Sequence, residues 1–356
     1  MAFTTIDDPS AHFQALIYTG NATSRSLTNG GNSDLQPDLV WTKKRNEAQN
    51  HCVFDSSRGV SKIIFPDGDD AEASSPSVLT AFNSDGFSLS ADALGNDNTD
   101  TYVAWQWKAN GGTTTTNDAS STSVGTIDSV YQANTTAGFS IITWTGTGSA
   151  GTIAHGLGAT PSVMIVKNRS KSAGESWMVY HHKNTSAPET DHLQLNTNNA
   201  TSDNDVAWND TAPTSTVFSV NNDDSTNDSG ETFVGYFFKE IQGYSKFGSY
   251  TGNGNADGPF VYLGFKPKYF LLKNTAASQH WYVFDTARDT YNPSNSAMQV
   301  SGNAAQETGY DMDFVSNGFK IRHADNAWNG SGNVFVYMAF AEHPFVSSGG
   351  VPCTAR

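Results

Sequence analysis

An aromatic-Thr-Gly triplet occurs three times along the chain, as Tyr18-Thr19-Gly20, Trp144-Thr145-Gly146 and Tyr250-Thr251-Gly252. After each comes a stretch rich in glycine and asparagine, then a proline that opens an apolar run closed by lysine. Those runs are Pro37-DLVWT-Lys43, Pro161-SVMIV-Lys167 and Pro267-KYFLL-Lys273, and they align without a gap. An internal repeat of this kind limits the fold before any single residue is weighed. Proline lacks a donor and suits the first residue of a strand. The residues after it are mostly β-branched or aromatic and apolar on both faces, as in a central strand covered on both sides. Lysine is expected to end each run where the strand emerges into water.

The rest of each copy repeats as well. A second strand reads His51-CVF-Asp55, Trp177-MVY-His181 and Trp281-YVF-Asp285. A tight hairpin is expected at Phe82-NSDG-Phe87 and Phe314-VSNG-Phe319, where Asp-Gly and Asn-Gly suit positive φ; the middle copy has Pro213-TSTV-Phe218 instead. Each copy closes on Tyr102-VAWQW-Lys108, Phe233-VGYFF-Lys239 or Phe335-VYMAF-Ala341. In these closing runs Val103/Trp105/Trp107, Val234/Tyr236/Phe238 and Val336/Met338/Phe340 share one face at period two, which a helix would scatter.

Many short strands at regular spacing with turns between them predict an all-β chain of three tandem antiparallel β-sandwich modules of about 100 residues each. The expected boundaries are 1–109, 125–242 and 243–345, with 346–356 as a tail. Residues 110–124, Gly/Ser/Thr-rich and without a large hydrophobe before Val124, read as a flexible linker. Composition agrees: only 15% of residues are charged but 12% are aromatic, which favours strands and polar turns over amphipathic helices or disorder. The net charge of −15 would repel a phosphate backbone, so no nucleic-acid partner is expected. No apolar run approaches the roughly 20 residues that span a bilayer, so no membrane insertion is expected. The opening MAFTTIDDPS carries no signal-peptide pattern, which places synthesis in a cytoplasm. Two cysteines, Cys52 and Cys353, make no disulfide framework, and Cys52 reads as a small buried hydrophobe.

Chemistry is sparse. His181 and His182 are adjacent on a strand and point to opposite faces, and with His192 they suit a solvated pair better than a zinc site. The acidic loops 67–72 and 221–228 offer oxygen ligands for a structural Ca2+ but lack the EF-hand spacing, and they equally suit solvated turns. Asp55-Ser-Ser-Arg58 and Asp285-Thr-Ala-Arg288 are expected to pin turns by salt bridges. No acid stands in a context that would raise its pKa, and there is no G-x-S-x-G elbow, so no catalytic residue and no enzyme activity are expected. Trp208 and Trp328, each in a polar loop, are the candidates for receptor binding through a stacking platform, although a loop tryptophan can also fold back onto its own sandwich.

The succession YTGN, PDLVWTKKR, FDSSRG, FNSDGF and TYVAWQWKA resembles repeats of tail-fibre-like and other structural proteins of marine bacteriophages, of the cyanophage and pelagiphage type. TIAHGLGATPSVMIVKNRS in the second copy and the ending AEHPFVSSGGVPCTAR resemble the same group, so the likeness covers nearly the whole chain. It implies a virion component exposed on the particle surface, made in the host bacterial cytoplasm and without catalytic residues. The implied partners are other virion proteins and a host-surface glycan or protein, with a homotrimer as the arrangement usual for a fibre. The chain departs from a fibre in starting almost at once in a module and showing no heptads. A capsid decoration protein and a polysaccharide depolymerase are therefore the alternatives.

Overall fold

The computed structural model describes residues 3–75, 77–171 and 174–352. The chain is all-β, and among the described residues the pairings are antiparallel apart from one parallel bridge between Ile127 and Ile153. The first sheet holds β1 (Phe13–Thr19), β2 (Leu39–Lys44), β3 (Cys52–Asp55) and β4 (Thr101–Trp107), in the order β1-β4-β2-β3.

The second holds β5 (Thr115–Asn117), β6 (Ser129–Asn134), β7 (Phe139–Thr145), β8 (Val163–Asn168), β9 (Met178–His181), β10 (Asp191–Gln194), β11 (Ser202–Asp203) and β12 (Thr232–Phe238). Its order is β5-β6-β7-β12-β8-β9-β10-β11. The third holds β13 (Ser245–Thr251), β14 (Phe260–Tyr262), β15 (Phe265–Asn274), β16 (Tyr282–Asp285), β17 (Ser294–Gln299), β18 (Glu307–Val315), β19 (Gly318–Ile321) and β20 (Val334–Pro344). Its order is β13-β20-β15-β16-β17-β18-β19-β14. Three smaller antiparallel sheets of two or three short strands accompany these, and among the described residues there are four one-turn α-helices: α1 (Ala93–Asn96), α2 (Ala119–Thr122), α3 (Asp224–Asn227) and α4 (Asn326–Asn329).

The same four-strand order, with the same register, recurs in each sheet. Phe13 faces Trp107, Phe139 faces Phe238 and Ser245 faces Phe340 across the first pair. Leu39, Val163 and Tyr269 face those same closing-strand residues from the other side. Pro37 and Pro161 precede their strands, whereas Pro267 lies inside β15 at an irregularity of register, where a missing N–H does not break the ladder.

The period-two face of the closing strands meets at one place. Ring centroids of Trp107, Phe238 and Phe340 form a triangle with sides of 6.3, 5.6 and 5.7 Å, and Phe13 stacks on Phe340 at 5.4 Å. Around this triangle one buried cluster draws Trp105, Tyr236, Tyr269 and Met338 from all three sheets. A cavity of about 20 Å³ remains among Trp107, Phe238, Leu271 and their neighbours; its apolar lining gives a water no partners. The opposite faces of the first and second sheets carry separate smaller cores, one around Phe54, Leu79 and Phe87, the other around Trp144, Trp208 and Phe218.

The aromatic-Thr-Gly triplet owes its form to the closing strand. Tyr18, Trp144 and Tyr250 stack on Tyr102, Phe233 and Phe335 at 5.1, 5.3 and 5.0 Å. A Cβ on Gly20, Gly146 or Gly252 would lie 1.8, 2.1 or 2.3 Å from the backbone oxygen of Asp97, Asp228 or Gly330. Only glycine fits that approach. The expected hairpins pair Phe82 with Phe87 and Phe314 with Phe319, and φ is positive at Gly86 but not at Gly318, whose Cβ would instead meet the Val261 oxygen at 2.0 Å.

The stretch 110–124, read from composition as a flexible linker, carries β5 and α2. The Asp38 carboxylate accepts N–H bonds from Ala109, Gly111 and Gly112 at 2.7–2.8 Å. β5 pairs with β6, and Asp118 caps α2. These polar anchors, supplied by distant residues, take the place of the hydrophobes that the stretch lacks.

Candidate functional site

The residues that carried chemical expectation lie where the three sheets join. Lys43, Lys167 and Lys273 do not emerge into water; they are 1%, 0% and 0% exposed. Each ammonium donates to a carbonyl on a loop of another sheet's segment: Lys43 to Asn303 at 3.3 Å, Lys167 to Asp69 at 3.0 Å and Lys273 to Asn198 at 3.0 Å. A second, nearer carbonyl completes each site, from Lys44, Glu175 and Gln279 in turn. Burial lowers these amines from the ordinary lysine value to about 8, 8 and 7.

The same loops are held at two more points. The His51 Nδ1 accepts from the Trp41 indole, so its Nε2–H donates to the Gln299 carbonyl at 2.8 Å. At the matching positions the Trp177 and Trp281 indoles donate to the carbonyls of Phe65 at 3.0 Å and Gln194 at 2.8 Å. The backbone N–H groups of Gln306, Glu72 and Thr201 then donate to the carbonyls of Arg45, Arg169 and Thr275. The contacts run in a closed cycle, first strand to third loop, second strand to first loop, third strand to second loop.

A further layer lies nearer the shared core. The Asp55 carboxylate accepts from Arg58 Nε at 2.5 Å and from the Tyr236 hydroxyl at 2.6 Å. Asp285 accepts from Arg288 Nε at 2.6 Å and from the Trp105 indole at 3.0 Å. Both pairs are buried, and each carboxylate also accepts the arginine's own N–H at 2.9 Å, so they pin their turns as their spacing suggested. The third position holds His181, whose Nδ1 accepts the Lys183 N–H and whose Nε2–H donates to the Tyr337 carbonyl. Burial pushes His181 down to about 3 and His51 to about 3.

Of the remaining candidates, His192 is buried in β10 with its Nδ1 unpartnered among the described residues, and burial lowers it from the ordinary histidine value, while the acidic loops are engaged locally. In the loop 67–72, Asp67 accepts the His51 N–H, and Glu72 binds Arg58 at 3.1 Å and Arg169 at 2.8 Å. In the loop 221–228, Asp223 caps α3 while Asp224 and Asp228 pair with Lys171. Among the described residues no group of three or more His, Cys, Asp or Glu could hold a metal ion. Cys52 is buried in β3, and Cys353 lies outside the described residues.

Trp208 and Trp328, expected as exposed stacking platforms, are 0% and 2% exposed. Trp208 packs edge-on against Tyr180, and Trp328 is enclosed by Tyr282 and Tyr310 at 4.4 and 4.3 Å. Their polar neighbours in sequence belong to turns that fold each indole inward, so neither offers a face to a sugar.

A further repeat precedes each closing strand, Asp92-ALG-Asn96, Asp223-DST-Asn227 and Asp325-NAW-Asn329, and the third copy holds Trp328. The aspartate caps the one-turn helix, at 2.9, 2.9 and 2.7 Å. The buried asparagine accepts from the N–H of Asn21, Thr147 or Asn253, the residue after the triplet glycine. Its amide donates to surrounding carbonyls, such as Ser90, Asn221 and His323. The constant distance from the asparagine to the closing strand was the available signal.

A buried amine lowered towards neutrality could act as a nucleophile. Each of these three is enclosed by carbonyls it already bonds, so the arrangement serves to hold loops. Among the described residues no helix is long and apolar enough to cross a membrane. None of the curated proteins and none of the solved structures matches the chain. The pattern of one family does match, over residues 8–344, and the chain therefore belongs to the family described as Domain of unknown function (DUF7483).

Proposed function

We propose that the chain is a structural component of a bacteriophage virion, exposed on the particle surface as a tail-fibre or tail-associated protein that serves host recognition and adsorption. The three segments are read as three copies of one antiparallel sandwich, bounded near 1–109, 125–242 and 243–345, and the resemblance of their motifs to marine phage repeats supplies the setting. The observation that carries the reading is the closed cycle of contacts between the segments. Histidines, lysines and carboxylates that might have done chemistry are engaged in holding the three together. This favours a rigid body whose loops meet a partner, and no catalytic role is assigned.

The threefold arrangement expected of a fibre as a homotrimer is approximated within one chain. That supports a single copy seated on a threefold axis of a particle, beside other virion proteins. Labelling the chain in purified phage and imaging by cryo-electron microscopy tests this: density at the tail is expected, with isolated protein adsorbing to host cells and competing with phage. Density spread over the capsid without host affinity would make it a decoration protein. Release of sugar from host polysaccharide, abolished by one acidic substitution, would make it a depolymerase.

A further inference from the structure

The strand that flanks the closing strand is β1 in the first sheet, β7 in the second and β13 in the third, and its outer edge is treated differently each time. The edge of β7 is covered by β6. On β13 the Phe247 N–H donates to the Glu240 carboxylate, its carbonyl accepts from His182 Nε2 at 2.6 Å, and Ser245 bridges to Ile241. β1 stands at the end of its sheet and pairs only with β4. Lys108 donates to His12 and Gly20 to Asp100, so the even-numbered residues of β1 bond β4. The N–H and C=O of Ala15 and Ile17 therefore point out of the sheet, and no described residue bonds them. Ile17 is 44% exposed.

A groove of about 350 Å³ runs along this edge, lined on one side by Ala15 and Ile17 and on the other by Lys268, Ala287 and Glu342 of the third segment. It occupies the place that β6 fills on β7. There the Gln132 amide of β6 donates to the hydroxyls of Ser56 and Ser57 at 2.7 Å, beside Asp38. Counting from the aligned prolines and aspartates, Lys268 stands where Asp38 does and Ala287 where Ser57 does. The seat is present at β1 and its strand is not.

We infer that the edge of β1 is a docking site for one extended, antiparallel strand supplied by a partner protein. Backbone hydrogen bonds to Ala15 and Ile17 give the affinity, as in strand addition generally. The occupant carries an uncharged side chain where β6 has Gln132, because Ala287 lacks the hydroxyl of Ser57 and the Thr286 hydroxyl, at the place of Ser56, already donates to Glu342 at 3.4 Å. A second copy of this chain fits less well. The net charge of −15 opposes it, and the far wall of the groove admits a lone arm more readily than the edge of another sheet.

The probe is a labelled peptide copying residues 127–135 with Gln132→Val, titrated against the full chain by fluorescence polarisation and amide hydrogen exchange. Saturable binding that slows exchange at Ala15 and Ile17 is expected. N-methylation of the peptide at the positions of Val130 and residue 132, which face β7 in the native pairing, should weaken binding at least tenfold, and N-methylation at those of Ser129 and Tyr131 should leave it within twofold. Ala15→Pro should abolish binding; should that variant fail to fold, the methylation series alone decides. No saturable binding, loss independent of which peptide amides are methylated, or protection appearing instead along residues 139–145 would each overturn the inference. So would a concentration-dependent dimer that protects Ala15 and Ile17 without peptide, since the edge would then belong to a second copy.

Discussion

At residue scale the molecule is notable for the charge and hydrogen-bonding capacity it encloses, and its response to pH follows from that. Burial lowers His51 to about 3, His155 to about 4 and His181 to about 3. The unfolded chain, with histidines near 6.5, then binds more protons than the folded one below that pH, so stability falls as pH drops from about 6.5 towards 4. Asp67, raised by burial to about 6, and Asp223, also raised by burial, act the other way, but His12, His192 and His280 are lowered by burial too and add to the first trend. Lys43, Lys167 and Lys273 are lowered to about 8, 8 and 7, so the unfolded chain again binds more protons from there up to about 10.5, and stability rises with pH across that window. Core tyrosines such as Tyr18 and Tyr236 are raised by burial and reverse the trend above about 10. Urea midpoints measured from pH 4 to 11 should therefore climb to a maximum near pH 9–10; a maximum at pH 5–6 would contradict the burial of these groups. Gly20→Ala should cost about 1–3 kcal/mol, as overpacking against backbone does, read from the same midpoints. These lysines were visible in the sequence as strand ends, and the rule that lysine seeks water misplaced them. Their acceptors lie on loops of another copy, and nothing in a single run of residues announces such a neighbour. The same holds for Trp208 and Trp328, whose polar neighbours concealed that the turn folds them inward.

At the scale of elements the strands were the most legible part, because period two in Val103/Trp105/Trp107 and its counterparts leaves little choice of conformation or of buried face. Phe238 is 3% exposed and Trp105 0%. Phe238→Ala and Trp105→Ala should each destabilise by roughly 3–5 kcal/mol in chemical denaturation, and a loss under 1 kcal/mol would mean that the central cluster tolerates a void. Trp105→Phe separates packing from the bond to Asp285, since it keeps most of the ring and removes the donor. The stretch 110–124 shows where composition misleads. Its order derives from Asp38, which lies in sequence before β2, β3 and β4 and contributes nothing to a local reading. Asp38→Ala should leave the N–H groups of Ala109 and Gly111 without their acceptor and Gly112 with only Gln132 Oε1, and limited proteolysis should then cut near 110–114 at least several times faster than in the unaltered chain. Equal rates would show that β5 and α2 hold the segment by themselves.

For the whole molecule, the shared aromatic cluster and the cycle of loops make the segments interdependent, and tandem order alone did not disclose this. Tandem order by itself predicts three units joined in a line, whereas the contacts form a ring in which the third segment's loop returns to the first. Long-range closure of that kind rests on residues such as Asn198 and Asn303 that offer only a backbone carbonyl, which no side-chain pattern can mark. The described residues 3–7 and 345–348 take part in the closing. Thr4 bonds the Gln242 carbonyl at 2.9 Å, Phe3 and Phe345 meet edge to face at 6.4 Å, and the Asp7 carboxylate accepts the Ser348 N–H at 2.6 Å. The order in which the segments follow one another along the chain is thus nearly immaterial to the body they form, because the stretches around residues 3–7 and 345–348 already lie side by side. A circular permutant with residues 3 and 348 joined through a short glycine linker, reopened between Gln242 and Gly243, should fold and melt in one transition within a few degrees of the parent. Two separate transitions would mean that the ring is held by its covalent connections and not by its joints.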